Sequence, residues 1–413
     1  MVRVRIFYQT DPAGIIPGGI DTFIRGMLKA APPDIELSVV GLTTDPLARP
    51  VGRWSECALD GRSVWFFPVG RLRNPRGRSR IPLSLQLTAG IARHFYACAS
   101  GCDVLEFHRV EPSLAFLRDA RPKNAFIHSN SADATRDRHS DIRWKAAPWL
   151  FFLVERITLG AMASVFSVRA DAVEAYRLQY PRLAERFRFI PTWMDPELFY
   201  PAGAAGRRAR RASLGAGLGI RPGDRVLVSV GRIDSGKRPG LLLEGFALLA
   251  KADPRLKLLL VGDGALRRDL EARVAGHGLG GRVLFAGLRP PREVADLLRL
   301  CDVFVLTSAY EGMPMCVLEA LGCGLPVVST RVGEVERVVR PGVTGELIAA
   351  AAPESVAQAL GRVLSGPDAY TSDACAAAVA EYVPKKVLQP VFEHYRRLAR
   401  PAAVRPLIAQ GLP

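Results

Sequence analysis

Two doubly wound α/β units in series are what this chain predicts, and three observations carry the expectation. Short apolar runs that read as buried strands alternate with helical segments along the whole length. Most of the clearer runs in the second half end at a glycine. At 413 residues, 49% of them apolar, the chain exceeds what one core usually serves and can fill two. The divide is expected at residue 200, giving units 1–200 and 201–383, with 384–413 as a terminal helix packing back on the first unit.

The elements follow in order. Val2 to Tyr8 is the first strand, entered directly with no apolar leader, so neither a signal peptide nor a membrane span is expected. Gly18 and Gly19 make the next turn, and a helix starts at about Ile20. Val104 to Phe107 and Ala125 to His128 are further strands. The Gly- and Ala-rich stretch holding Arg207, Arg208, Arg210 and Arg211 reads as the linker, its cations as a solvated run. Beyond it, strands are expected at Arg225 to Gly231, Leu256 to Gly262, Val283 to Gly287, Val303 to Thr307 and Pro326 to Thr330. A glycine just past a strand lets backbone approach phosphate or ribose, and repeated strand-glycine-helix units put such loops on one sheet edge.

Charge narrows the partners. The net charge is +16 and the excess is shared, with 27 basic and 20 acidic residues up to position 200 and 29 and 20 after it. Residues 61–102 concentrate seven arginines, including Arg71, Arg73, Arg76, Arg78 and Arg80, with no acid and with Trp65, Phe66, Phe67, Phe95 and Tyr96. Two readings stay open there: a face lying on an anionic bilayer, or a strand and core helix joined by a solvated loop. No helix-turn-helix, zinc-finger or RNA-binding aromatic signature occurs, so nucleic acid is not an expected partner. Seven cysteines, odd in number and without Cys-x-x-Cys spacing, indicate a reducing compartment, the cytoplasm. There is no Asp-x-Asp pair and no His-Glu-x-x-His, so neither metal nor cofactor is expected.

The most informative stretch is Ser308-Ala-Tyr-Glu-Gly-Met-Pro-Met-Cys-Val-Leu-Glu319. Gly312 and Pro314 shape a turn after a strand, Met315 opens a helix, and the N–H groups of its first turn form an anion site. Glu311 falls in the loop and Glu319 on the helix. Either could be an ordinary solvated carboxylate. Arg232 and Lys237, five apart in a glycine-bounded loop, are either a surface pair or a diphosphate clamp. Cations at a helix start oppose its dipole unless an anion is present, which favours the clamp. A dinucleotide oxidoreductase would need Gly-x-Gly-x-x-Gly after the first strand, and the chain offers only Pro17-Gly18-Gly19 there.

Together with Gly231-Arg-Ile-Asp-Ser-Gly-Lys237 and Val261-Gly-Asp-Gly264, that stretch resembles the retaining nucleotide-sugar glycosyltransferases of family 4. The resemblance is specific over about residues 190–350 and looser before. It implies the GT-B fold, two Rossmann-like domains facing a cleft, and a set of roles. Arg232, Lys237, Gly18 and Gly19 match positions on the donor diphosphate, with Gly262 in the same loop set. Glu319 matches the glutamate on the ribose, and Glu311, with Gly312, the position near the transferred sugar. Met315 and Cys316 match amides on phosphate or sugar oxygens, while Leu288 and Arg289 fall where family backbone meets the nucleobase. His128 matches a histidine beside the reacting carbon; unaided, it is one of six histidines and a satisfied core or loop residue. Two segments depart from the pattern. Thr192-Trp-Met-Asp195 has Trp193 in place of a glycine, and Gly333-Glu-Val-Glu-Arg337 has Glu334 and Arg337 in place of a glycine and a glutamate.

The function implied is transfer of a sugar from a UDP- or GDP-sugar to a saccharide or lipid-linked acceptor hydroxyl, without a metal and with retention, in cell-surface polysaccharide or glycolipid synthesis. The alternatives are a nucleotide-sugar epimerase or hydrolase on the same fold, and a non-catalytic nucleotide-sugar sensor. An anionic membrane is the further partner that the arginine segment suggests.

Overall fold

The computed structural model describes residues 1–14, 19–59, 61–72, 81–128 and 148–399. Gly18 and Arg73, Arg76, Arg78 and Arg80 lie outside them. The described residues form two compact units: one of Met1–Phe126, Trp149–Phe166 and the chain from Leu388, the other of Ile127, His128, Pro148 and Ser167–Val387. The sequence expectation put a single divide at residue 200. The chain instead passes between the units near residues 126, 148, 166 and 387.

Fourteen strands are described: β1 Val2–Phe7, β2 Ile35–Thr43, β3 Ser55–Leu59, β4 Arg62–Arg71, β5 Val104–Phe107, β6 Lys123–Ile127, β7 Ser164–Ser167, β8 Phe187–Phe189, β9 Arg225–Val230, β10 Leu256–Val261, β11 Val283–Gly287, β12 Val303–Leu306, β13 Val327–Thr330 and β14 Gly345–Ile348. They form an eight-stranded sheet in the order β3-β4-β2-β1-β5-β6-β7-β8 and a six-stranded sheet in the order β11-β10-β9-β12-β13-β14. In the first, β3 runs antiparallel to β4. Every pairing of the second is parallel.

The six-stranded sheet explains why its strands read as apolar runs rather than alternating ones. Successive side chains point to opposite faces, and both faces are covered. Val226, Val228, Leu259, Val261, Phe304 and Leu306 join one buried cluster. Their neighbours Leu227, Leu258, Leu260, Val303 and Val305 join the other. The order is that of a doubly wound sheet whose direction of winding reverses between β9 and β12, and ligands of such sheets bind beyond the carboxyl ends of the strands at that reversal. The loops after β9 and β12 hold Arg232, Lys237 and Glu311.

In the first unit the same reversal falls between β1 and β5. Helix Gly19–Ala30 follows β1, and its inner face buries Phe23, Ile24, Met27 and Leu28. Asp11 anchors the loop before it: its carboxylate accepts from the Thr44 backbone N–H and hydroxyl, each at 2.7 Å, and from Arg49 at 3.0 Å. Helix Gln389–Ala399 buries Val391, Phe392, His394 and Tyr395. Its Tyr395 hydroxyl donates to the Glu106 carboxylate, which also meets His108 Nε2 at 3.1 Å.

One expectation is corrected here. The four arginines expected in a linker lie within the second unit, and three of them are not a solvated run, while Arg208 is exposed. They lie on helix Gly203–Arg210 and the turn after it. Arg207 pairs with Asp302 at 3.5 Å and Arg210 with Asp296 at 3.3 Å. Arg211 donates to the carbonyls of Leu300 at 2.7 Å and Asp224 at 2.9 Å. Carboxylates and carbonyls on and around helix Pro291–Leu300 give these cations partners that a linker reading could not foresee.

Candidate active site

The loop after β9 is built around Asp234. Its side chain accepts from the Lys237 backbone N–H at 3.1 Å, capping the short turn Ser235–Lys237, and its other oxygen meets Arg232 Nη2 at 3.2 Å. One carboxylate thereby holds the Arg232 guanidinium and the Lys237 backbone. Arg238 follows at φ 48°, the only positive φ among the described non-glycine residues. That conformation costs about 1–3 kcal/mol for a side chain of this kind. It is held by the Thr307 hydroxyl at the end of β12, which lies 3.0 Å from the Lys237 carbonyl and 3.1 Å from that of Arg238. Pro239 then opens helix Pro239–Ala250, its fixed φ suited to a first turn.

After β12 the chain turns through Glu311 and Gly312 into helix Met315–Gly322, which no side chain caps. The Val317 amide donates to the Pro314 carbonyl at 3.1 Å, which leaves those of Met315 and Cys316 to face an anion. Ser308 Oγ donates to Glu311 Oε1 at 2.6 Å, and the Lys237 ammonium donates to the same oxygen. Burial works against the charge of Lys237, but Glu311, together with Cys316 and Asp234, holds the ammonium above its usual range. The two groups that the sequence assigned to phosphate and to sugar are thus each other's partner. Gly231, Arg232, Lys237, Leu306 and Thr307 line one small cavity at this sheet edge.

Glu319 lies one helical turn beyond Met315 and, among the described residues, its carboxylate has no hydrogen-bond partner. Burial raises it to about 7. The Cys316 thiol, half-buried beside it, is pushed up to about 12 by desolvation and is not a nucleophile at neutral pH.

Backbone packing brings Gly262, Gly333 and the His128 backbone to these loops. A Cβ on Gly262 would stand 1.9 Å from the Gly231 carbonyl, so only glycine allows the strand ends of β9 and β10 to touch. Gly333, at φ 51°, presses on the loop, and a Cβ there would stand 1.7 Å from the Gly312 carbonyl. A Cβ on Gly312 would in turn lie 3.3 Å from the His128 carbonyl, so His128, one residue past β6, has its backbone beside this loop. Leu288 and Arg289 lie past β11, with Arg289 donating to the Ala286 carbonyl at 2.8 Å and pairing with Glu293 at 3.0 Å. Gly19 is the exposed first residue of its helix.

Both departures have structural explanations. Trp193 is 2% exposed and fills the interior rather than an open face. Its neighbour Thr192 donates to the Met313 carbonyl at 2.8 Å, tying that segment to the loop. Glu334 accepts from the Ala170 amide at 2.6 Å and pairs with Arg337, whose guanidinium lies 5.0 Å from the Phe189 ring centre. The substituted pair restores a charge balance of its own. Sequence reasoning gave no positioning role to Asp234, Thr307 or Glu334. Only Asp234 had a local signal, an Asp three residues before Lys237 that suits a cap.

Residues 212–381 match the model of the glycosyl transferases group 1 family. The second unit carries a glycosyl transferases group 1 domain. A curated relative, the D-inositol 3-phosphate glycosyltransferase of Corynebacterium urealyticum, is 32% identical over 233 residues, covering 54% of this chain and 51% of that protein. The chain thus spans about half the length of the curated relatives it matches. Among solved structures, the sucrose-phosphate synthase of Thermosynechococcus elongatus aligns with a TM-score of 0.79 at 23% identity, covering 96% of this chain and 99% of that one. HepE of Anabaena, solved with UDP and glucose, aligns at 0.70 and 17%, covering 96% and 100%. At such identities these two show the fold, GT-B with two Rossmann-like domains. The Arg232–Lys237 and Ser308–Glu319 loops both lie inside the group 1 domain.

Proposed function

We propose that the protein is a metal-independent retaining glycosyltransferase that moves a sugar from a UDP- or GDP-sugar to an acceptor hydroxyl. The observation that carries this reading is the meeting of Lys237, Arg232 and the uncapped helix start at Met315 around the β9–β12 reversal, within the group 1 domain. On donor binding, Lys237 exchanges Glu311 for diphosphate oxygens, Arg232 adds a forked contact, and the helix amides a third. Glu311 turns to a sugar hydroxyl and Glu319 accepts from the ribose. The acceptor oxygen bonds to the anomeric carbon on the face that the diphosphate leaves. The carbon–phosphate oxygen bond breaks, and the acceptor proton passes to the departing oxygen. These groups act mainly by stabilising the charge that develops on the phosphate; His128 belongs beside the reacting carbon.

The acceptor reading is a saccharide or lipid-linked hydroxyl in cell-surface polysaccharide or glycolipid synthesis, made in the cytoplasm with the protein peripheral on an anionic membrane. No helix among the described residues is long and apolar enough to cross a membrane.

A panel of labelled UDP- and GDP-sugars, offered in EDTA, tests the reading. Slow donor hydrolysis that accelerates with an acceptor supports it. Epimer formation would favour the epimerase reading, and tight binding without turnover the sensor. The relatives named for D-inositol 3-phosphate add a phosphorylated polyol to the acceptors worth including.

A further inference from the structure

Helix Pro148–Gly160 of the first unit is apolar on two faces. One face is used in packing: Phe151, Glu155, Thr158 and Leu159 are buried. The other carries Trp149, Leu153 and Ile157, which are 70%, 47% and 46% exposed. Four residues apart, they stand in one row along the helix. Single exposed apolar side chains are ordinary, whereas a row of three on one face marks a contact surface. Arg156 is exposed next to the row, and the one acid of the helix, Glu155, is buried on the packed side. The open face is therefore apolar and positive, on a chain of net charge +16.

We propose that this face seats the protein on an anionic lipid bilayer, with Trp149, Leu153 and Ile157 at the boundary of headgroups and acyl chains and Arg156 against lipid phosphate. The inference rests on the peripheral-membrane part of the reading above and names the element responsible, which is not the arginine segment 71–80. A tryptophan with aliphatic neighbours and a cation suits that boundary, where ring and guanidinium each find a partner. A second copy of the chain fits less well. Stable interfaces take about 20–30 residues a side, and two such faces would bring Arg156 and the excess positive charge together.

The test is co-sedimentation of the full chain with vesicles of phosphatidylcholine alone and of phosphatidylcholine mixed with phosphatidylglycerol. Wild type should pellet with the mixed vesicles only, and less at high salt. A Trp149→Ser, Leu153→Ser, Ile157→Ser variant should lose binding by at least about tenfold while its circular dichroism and Tm stay unchanged. Quenching of tryptophan fluorescence by brominated acyl chains should fall in Trp149→Phe. Wild type left in the supernatant with both vesicles would overturn the membrane reading and this proposal together. Equal pelleting of the triple variant, or equal quenching in Trp149→Phe, would overturn only the assignment to this helix. A dimer that the triple variant dissolves would put a second copy on the face and overturn it as well. None of these outcomes bears on sugar transfer.

Discussion

Glu319 is where residue chemistry and site meet. Its carboxyl sits at about 7 against an ordinary 4.5 because burial penalises the charged form. A carboxyl raised in the folded state gives its full stabilisation below about 4.5 and loses it as pH rises through about 7, since between those values the native protein holds a proton that the unfolded chain has released. Glu319→Gln cannot ionise. Its Tm should therefore fall less than that of wild type between about pH 5 and about pH 8, while its affinity for a nucleotide sugar drops at both. Parallel Tm curves for the two proteins would show that Glu319 ionises as it would in water. Asp234 works at the same scale: one carboxylate fixes the direction of Arg232 and the backbone of Lys237.

At the scale of elements, the loop after β12 is held by close backbone approach as well as by the side chains of Ser308, Lys237 and Thr192. Gly333→Ala would place a methyl group 1.7 Å from the Gly312 carbonyl at a φ of 51°. Strain of this kind costs about 1–3 kcal/mol, so Tm should fall and donor turnover with it. A variant as stable and as active as wild type would mean that the segment moves aside freely. In the first unit, helix Gln389–Ala399 is latched to β5 by Tyr395 and Glu106. Burial pushes Glu106 well above the usual carboxylate range and the neighbouring His108 down to about 3, so both stand neutral in the fold. Tyr395→Phe leaves a buried acid short of a donor, a loss of about 1–3 kcal/mol. The measurable result is faster amide exchange in residues 389–399 at unchanged exchange in β9 to β14. Uniform acceleration over the whole chain would instead mean that the latch supports global stability.

Over the whole molecule, the sequence was most legible where periodicity and glycine act together. Five of the six strands of the six-stranded sheet were located to within a residue or so at either end, β14 being the one not foreseen, and Met315 does open its helix, because two covered faces demand apolar runs and the close strand ends demand Gly231 and Gly262. Contacts between residues distant in sequence could not be read. The bond of Thr307 to the strained Lys237–Arg238 turn spans 70 positions, and that of Glu334 to Ala170 spans 164. The linker arginines failed for the same reason, since Asp296 and Asp302 come close to them only in the fold. The place of Lys237 in donor cleavage is tested most directly by the rate at which purified wild type and Lys237→Ala release nucleoside diphosphate from a nucleotide sugar in EDTA. The expected result is release by wild type without added metal and a loss of at least about tenfold in a folded Lys237→Ala, as removal of one charged contact to a developing anion is worth about 2–4 kcal/mol. Equal rates for the two proteins, or release only after Mg²⁺ or Mn²⁺ is supplied, would contradict it.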